Sequence, residues 1–283
     1  MQFIKQDYKI DGKNLNNLLN KYGKITVKLN HQAITDDIER LKDNAEASTN
    51  KVFVKNCWRI IDFLKGLKKE ANNEINISFK FNGRCIESEP ITIRKFEEFN
   101  IQTTDYFDII DKAIVNLDYK KLMCGVALEL GYYDLGYTLE EIEDKLKDIG
   151  IVATYSSDEL NGLLEDNMYR TLYNLRIEDS DYLSPDKKYT FDYFGDKIND
   201  NKTYIGMLDS TAKKIMSIIV DDVLTIANNN KYEVELAGVY DDSLVFLVSK
   251  EYDVGKISAE LAQTEVVRLF GRKFSFEPAI TIY

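Results

Sequence analysis

The stretch from Lys202 to Tyr283 constrains this chain most, because its hydrophobic period switches repeatedly between strand and helix. Thr203-Tyr204-Ile205-Gly206-Met207-Leu208 reads as a strand ending at Asp209. Asp209 or Ser210 would cap a following helix with Ala212, Ile215, Met216, Ile219, Val223 and Ile226 on one stripe, and Asn228-Asn229-Asn230 breaks it. Tyr232 to Gly238 and Leu244 to Val248 read as two strands joined by Tyr240-Asp241-Asp242-Ser243, residue types suited to a turn. A helix over 256–270, ended by Gly271, and a closing strand from Ala279 to Tyr283 complete a β-α-β-β-α-β order. That order predicts a ferredoxin-like or palm-like domain over residues 201–283. It would bring Asp209, at a strand end, to the same edge as Asp241 and Asp242 at the neighbouring hairpin tip.

Upstream, residues 1–99 read as an α+β domain. A short helix carries Leu15, Leu18, Leu19 and Tyr22, and Ile25 to Leu29 is a strand. A helix with Ile34, Ile38 and Leu41 loosens from Asp43 to Asn50. Val52-Phe53-Val54 reads as a short strand, with Asn56 capping a helix that bears Ile60, Ile61, Leu64 and Leu67. Ile75 to Phe81 alternates in the strand period, Asn82-Gly83 is a preferred hairpin turn, and the chain returns through Arg84-Cys85-Ile86 to Ile91-Thr92-Ile93.

Residues 100–200 read as a helical domain and its connecting segment. Phe107, Ile110, Ile114 and Leu117 form one stripe, and capping boxes at Thr138–Glu141 and Ser156–Glu159 open two further helices. Those helices carry Glu140, Glu141, Glu143, Asp144, Asp158 and Glu159, which argues against a recognition helix facing phosphates. The whole chain is thus expected to be α+β, with a helical middle.

A net charge of −11 argues against general nucleic-acid binding, which needs Lys and Arg to displace phosphate counterions, while leaving room for a local basic groove. Cys57, Cys85 and Cys124 form no CxxC pair, so a thiolate zinc site is not expected, and His31 is the sole histidine, which excludes a multi-histidine metal site. Any metal would rest on carboxylates, which favours magnesium or manganese. No apolar run reaches the length of a membrane span and no secretion signal opens the chain, so a cytoplasmic location is expected. The Lys/Asn/Ile-rich, Pro-poor composition is of a kind common in phages and viruses, which extends that expectation to a host cytoplasm or a virion.

The segments Ser210-Thr211-Ala212-Lys213-Lys214-Ile215-Met216 and Val239-Tyr240-Asp241-Asp242-Ser243-Leu244-Val245-Phe246 resemble the palm of family A DNA polymerases, where a helix precedes an acidic hairpin. The hairpin also resembles the acidic turn of diguanylate cyclases and of the palm subunit of type III CRISPR complexes. The resemblance implies Asp209, Asp241 and Asp242 as metal ligands. Tyr240 stands where the family A hairpin usually has histidine, and Val239 and Tyr240 replace the paired glycines of the cyclases. Two functions follow as expectations. Acidity and 18 tyrosines favour a non-enzymatic protein that works by contact with other protein chains, as an assembly or accessory component or a homo-oligomer, with no cofactor. The alternative is a metal-dependent, palm-type nucleotidyltransferase using magnesium or manganese.

Overall fold

Helix starts in this chain are set by side chains that satisfy the first free backbone N–H groups. The computed structural model describes residues 10–70, 74–89, 103–119, 122, 190–192, 194–195, 197–198, 204–240, 242–263, 267–269, 272–274 and 278–283; for residues 70, 103, 190, 204–209, 267–269 and 272–274 it describes the backbone alone. Asp11 accepts from the N–H groups of Lys13 and Asn14 and opens α1 (Gly12–Tyr22), which buries the expected Leu15, Leu18, Leu19 and Tyr22. After β1 (Ile25–Lys28), Asn30 caps α2 (His31–Ala47), which buries Ile34, Ile38, Leu41 and Ala45. The helix runs through the segment expected to loosen at Asp43.

The expected strand at Val52–Val54 is instead the first turn of α3 (Lys51–Glu70). Asn50 Oδ1 accepts from the N–H groups of Val52 and Phe53 at 3.0 and 3.2 Å, so the cap is Asn50 and not Asn56. Cys57, Ile61, Leu64 and Leu67 are its buried stripe. β2 (Glu74–Phe81) alternates buried and exposed residues as expected, and pairs antiparallel with β1 and with β3 (Ile86–Glu89). Gly83 in the β2–β3 turn has φ +96, where a side chain would be strained.

The larger sheet contains the main departure from expectation. Lys112–Asp118, read as part of a helical stripe, is strand β4. Two short strands, β5 (Thr190–Phe191) and β6 (Lys197–Ile198), pair with each other. Then come α4 (Tyr204–Asn229), β7 (Val234–Val239), β8 (Ser243–Ser249) and α5 (Val254–Leu261), followed by β9 (Val267–Leu269), β10 (Arg272–Phe274) and β11 (Ala279–Ile282). The four-stranded sheet has the order β11-β4-β8-β7, with every neighbour antiparallel. β4 lies inside it and buries Ala113, Val115, Asn116 and Leu117, so it shows an apolar run in place of clean alternation.

Residues 204–208, expected as a strand, are the first turns of α4. Ile205, Leu208 and Ala212 carry the helical spacing of the α4 stripe upstream, and a short apolar run cannot tell the two states apart. The helix expected over 256–270 stops at Leu261, and β9 and β10 follow as an antiparallel pair, with Gly271 between them in sequence. The remaining helices expected between Met123 and Arg176 lie outside the described residues, as does the strand at Ile91–Ile93. One hydrophobic cluster among the described residues runs from Leu15 to Leu261, and the fold is α+β.

Candidate active site at the acidic turn

The site is built by strand register. In the β4–β8 pair Asp118 lies opposite Ser243, and Leu117 opposite Leu244. Beyond the last pair the Tyr119 N–H donates to the Asp242 carbonyl at 2.7 Å. The end of β4 is therefore joined directly to the turn that carries Asp241 and Asp242. On the other side of the turn, the Tyr240 N–H donates to the Ser243 carbonyl at 2.8 Å and Val239 pairs with Leu244.

The packing beneath fixes this corner. Tyr119 and Leu244 are fully buried, and Ser243 is buried at the start of β8. Asp118 is half-buried and Asp242 exposed, so one carboxylate is held at the sheet end and the other reaches solvent. β7 carries an irregularity between Leu236 and Gly238. A methyl group on Gly238 would lie 2.6 Å from Cε2 of Tyr240, so the glycine leaves room for the ring to fold back over β7.

Of the residues read from the sequence, Asp242 is placed in this turn, and Asp241, beside it, lies outside the described residues. Asp209 does not end a strand. It lies within α4, and its side chain is outside the described set. The residue that sequence reading missed is Asp118. Its signal was present: Ala113, Val115 and Leu117 alternate, Ile114 and Val115 are β-branched, and an aspartate closes the run. Among the described residues no three His, Cys, Asp or Glu side chains form a metal-holding group. Asp118 and Asp242 supply two carboxylates, and the donor chemistry suits a hard cation such as magnesium or manganese.

A second polar group anchors the start of α4. Asp192 is fully buried. It accepts from the Ser210 hydroxyl at 2.6 Å and from the Phe194 N–H at 3.0 Å. Arg84, in the β2–β3 turn, donates to the Ser210 hydroxyl and to the Lys197 carbonyl. Lys214, one turn further along α4, donates to the Gly83 carbonyl at 3.2 Å. This seam ties the β2–β3 turn and the β5–β6 hairpin to α4.

No protein-family model matches this chain, and no curated protein does. Among solved structures it is similar to the POL domain of Pol1 from M. smegmatis in complex with DNA primer-template and dNTP. That likeness has 10% sequence identity and a TM-score of 0.48, and covers 95% of this chain and 68% of the other.

Proposed function

We propose that this chain is a metal-dependent, palm-type nucleotidyltransferase, with Asp118 and the Asp241-Asp242 turn as the cation-holding group. The observation that carries the reading is the register of β4 against β8, which sets Asp118 opposite Ser243 and joins Tyr119 to Asp242. Taken with β4 as the first strand, the elements β4, α4, β7, β8, α5 and β11 follow the β-α-β-β-α-β order, and the sheet order β11-β4-β8-β7 is that of a split β-α-β fold. This order supports the expected plan with a different first strand, and on this reading the strand-end carboxylate of the site is Asp118 in place of Asp209. The likeness of Val239–Phe246 to the family A acidic hairpin supports the same assignment.

Asp118, Asp241 and Asp242 would hold the cation through oxygen donors. A divalent cation there supplies charge neutralisation at the phosphoryl oxygens and activation of the attacking hydroxyl. The chain's own part is positional. Buried Tyr119, Leu117 and Leu244 hold the strand ends, so the carboxylate at 118 and the turn do not drift apart. The exposed Asp242 leaves that side open to a triphosphate.

The test is thermal melting of the full chain with Mn²⁺ and a panel of NTPs and dNTPs, with and without a primer-template. Three proteins are compared: wild type, Asp118→Asn/Asp242→Asn and Asp209→Asn. Ligand bound only by the folded state raises stability by RT ln(1 + [L]/Kd). The expected result is a rise in wild type and Asp209→Asn that is lost in the double variant. A folded wild type that shows no rise sinks the proposal and returns the choice to the assembly reading, which self-association would then test.

A further inference from the structure

We infer that the solvent face of α3 is a binding track for single-stranded nucleic acid. The helix carries six basic residues against two acidic ones, in a chain whose net charge is −11. They are not spread around it. Lys51, Lys55, Arg59, Lys65 and Lys69 recur at near-helical spacing on the side opposite buried Cys57, Ile61, Leu64 and Leu67, and all five are exposed. At 1.5 Å per residue the stripe from Lys51 to Lys69 is about 27 Å long. Asp62 is the one acid within it.

Charge is sorted between the two packed helices. α2 carries Asp36, Asp37, Glu39, Asp43 and Glu46 against Arg40 and Lys42, and Arg40 pairs with Asp37 on that same helix. Among the described residues Lys51, Lys55, Lys65 and Lys69 of α3 make no ion pair, so their charge faces solvent. In the middle of the stripe stands Trp58, 39% exposed. Exposing the largest apolar ring between cations has a cost that a stacked base would remove. A basic track with an exposed aromatic side chain is the pattern by which strands without fixed sequence are held, through phosphate contacts and base stacking. The lone exposed ring among the cations favours a single strand, whose unpaired bases can stack on it, over a duplex.

The inference does not depend on the carboxylate site, and its test is run in EDTA. Trp58 is the only tryptophan, so its emission reports binding directly. The full chain is titrated with oligo(dT)30 at low salt, followed by tryptophan emission and by anisotropy of a labelled oligonucleotide. Quenching is expected, with an affinity that falls as salt rises. Lys55→Glu/Lys65→Glu should weaken binding at least tenfold. It should also flatten the logarithmic salt slope by about 0.7 for each phosphate no longer neutralised. Lys24→Glu/Lys80→Glu makes the same change in net charge at exposed sites on β2 and beside β1, and should weaken binding less than twofold. Trp58→Ala should weaken it with the salt slope unchanged. Absence of quenching, equal losses in the two charge variants, or tighter binding of a thirty-base-pair duplex would each overturn the inference.

Discussion

The Tyr119 N–H donates to the Asp242 carbonyl across 2.7 Å, and this bond extends the β4–β8 pairing into the acidic turn between β7 and β8. Tyr119 is fully buried, so the bond is held from below by packing. Tyr119→Ala should cost about 3–5 kcal/mol of stability, the range for removing a large aromatic side chain from a core. It should also reduce any Mn²⁺-dependent rise in melting temperature by more than the loss of stability explains, because the backbone bond to Asp242 remains but loses the buried side chain that fixes its position. Melting with and without Mn²⁺ separates the two effects. A Tyr119→Ala protein as stable as wild type would show that the corner is not built as described.

Asp192 makes a different kind of demand. It is a fully buried carboxylate whose two oxygens accept from Ser210 and from the Phe194 backbone. Removing it leaves the Ser210 hydroxyl, already engaged by Arg84, without its acceptor. Asp192→Ala should destabilise by roughly 3–5 kcal/mol, as for breaking a buried charged network from one side. Asp192→Asn keeps an acceptor oxygen and should cost less. Denaturant melts of the two variants give the comparison, and equal losses would show that charge, not hydrogen bonding, matters at this position.

Asp221 is on α4, which packs against α1, and its Oδ1 is buried with no hydrogen-bond partner. Burial, with a smaller contribution from the Asp11 carboxylate, raises its pKa above the ordinary carboxylate range. Within the window between the ordinary and the raised value, the folded chain binds the proton more tightly than the unfolded one, so stability falls as pH rises. Asp221→Asn should therefore raise the melting temperature near pH 7, and the gain should shrink as pH falls through that window towards the ordinary range. Melting at pH 7 and pH 4 checks the sign. A gain that grows on acidification would rule out this origin.

The parts of the fold legible in the sequence are those whose helical or strand period is carried by one face. Leu15, Leu18, Leu19 and Tyr22 set α1, and the alternation from Ile75 to Phe81 set β2. The hairpin of β7 and β8 was likewise legible from its turn residues. β4 was not, because an inner strand of the sheet is apolar on both faces. Ile114 and Leu117 then fit a helical stripe as well as a strand. That one misreading moved the candidate carboxylate from Asp118 to Asp209. The cap of α3 went wrong for a local reason: Asn50 and Asn56 are both good caps by type, and only the position of the first free N–H groups distinguishes them.

Gly238 offers the sharpest test of the turn. It follows an irregularity in β7, and a β-carbon there would meet Cε2 of Tyr240 at 2.6 Å and Cζ at 3.1 Å. The ring is the far end of a flexible side chain and can rotate away, but the Tyr240 backbone is held by its bond to the Ser243 carbonyl. Gly238→Ala should therefore displace the ring and cost about 1–3 kcal/mol, the usual penalty for overpacking. If the clash is the cause, Tyr240→Ala should absorb it. The double variant should then lose less than the sum of the single losses, a coupling that a double-mutant cycle measures directly. Additive losses would mean that the alanine acts on the β7 backbone itself, through the irregularity at Leu236–Gly238, and that the tyrosine is not what the glycine accommodates.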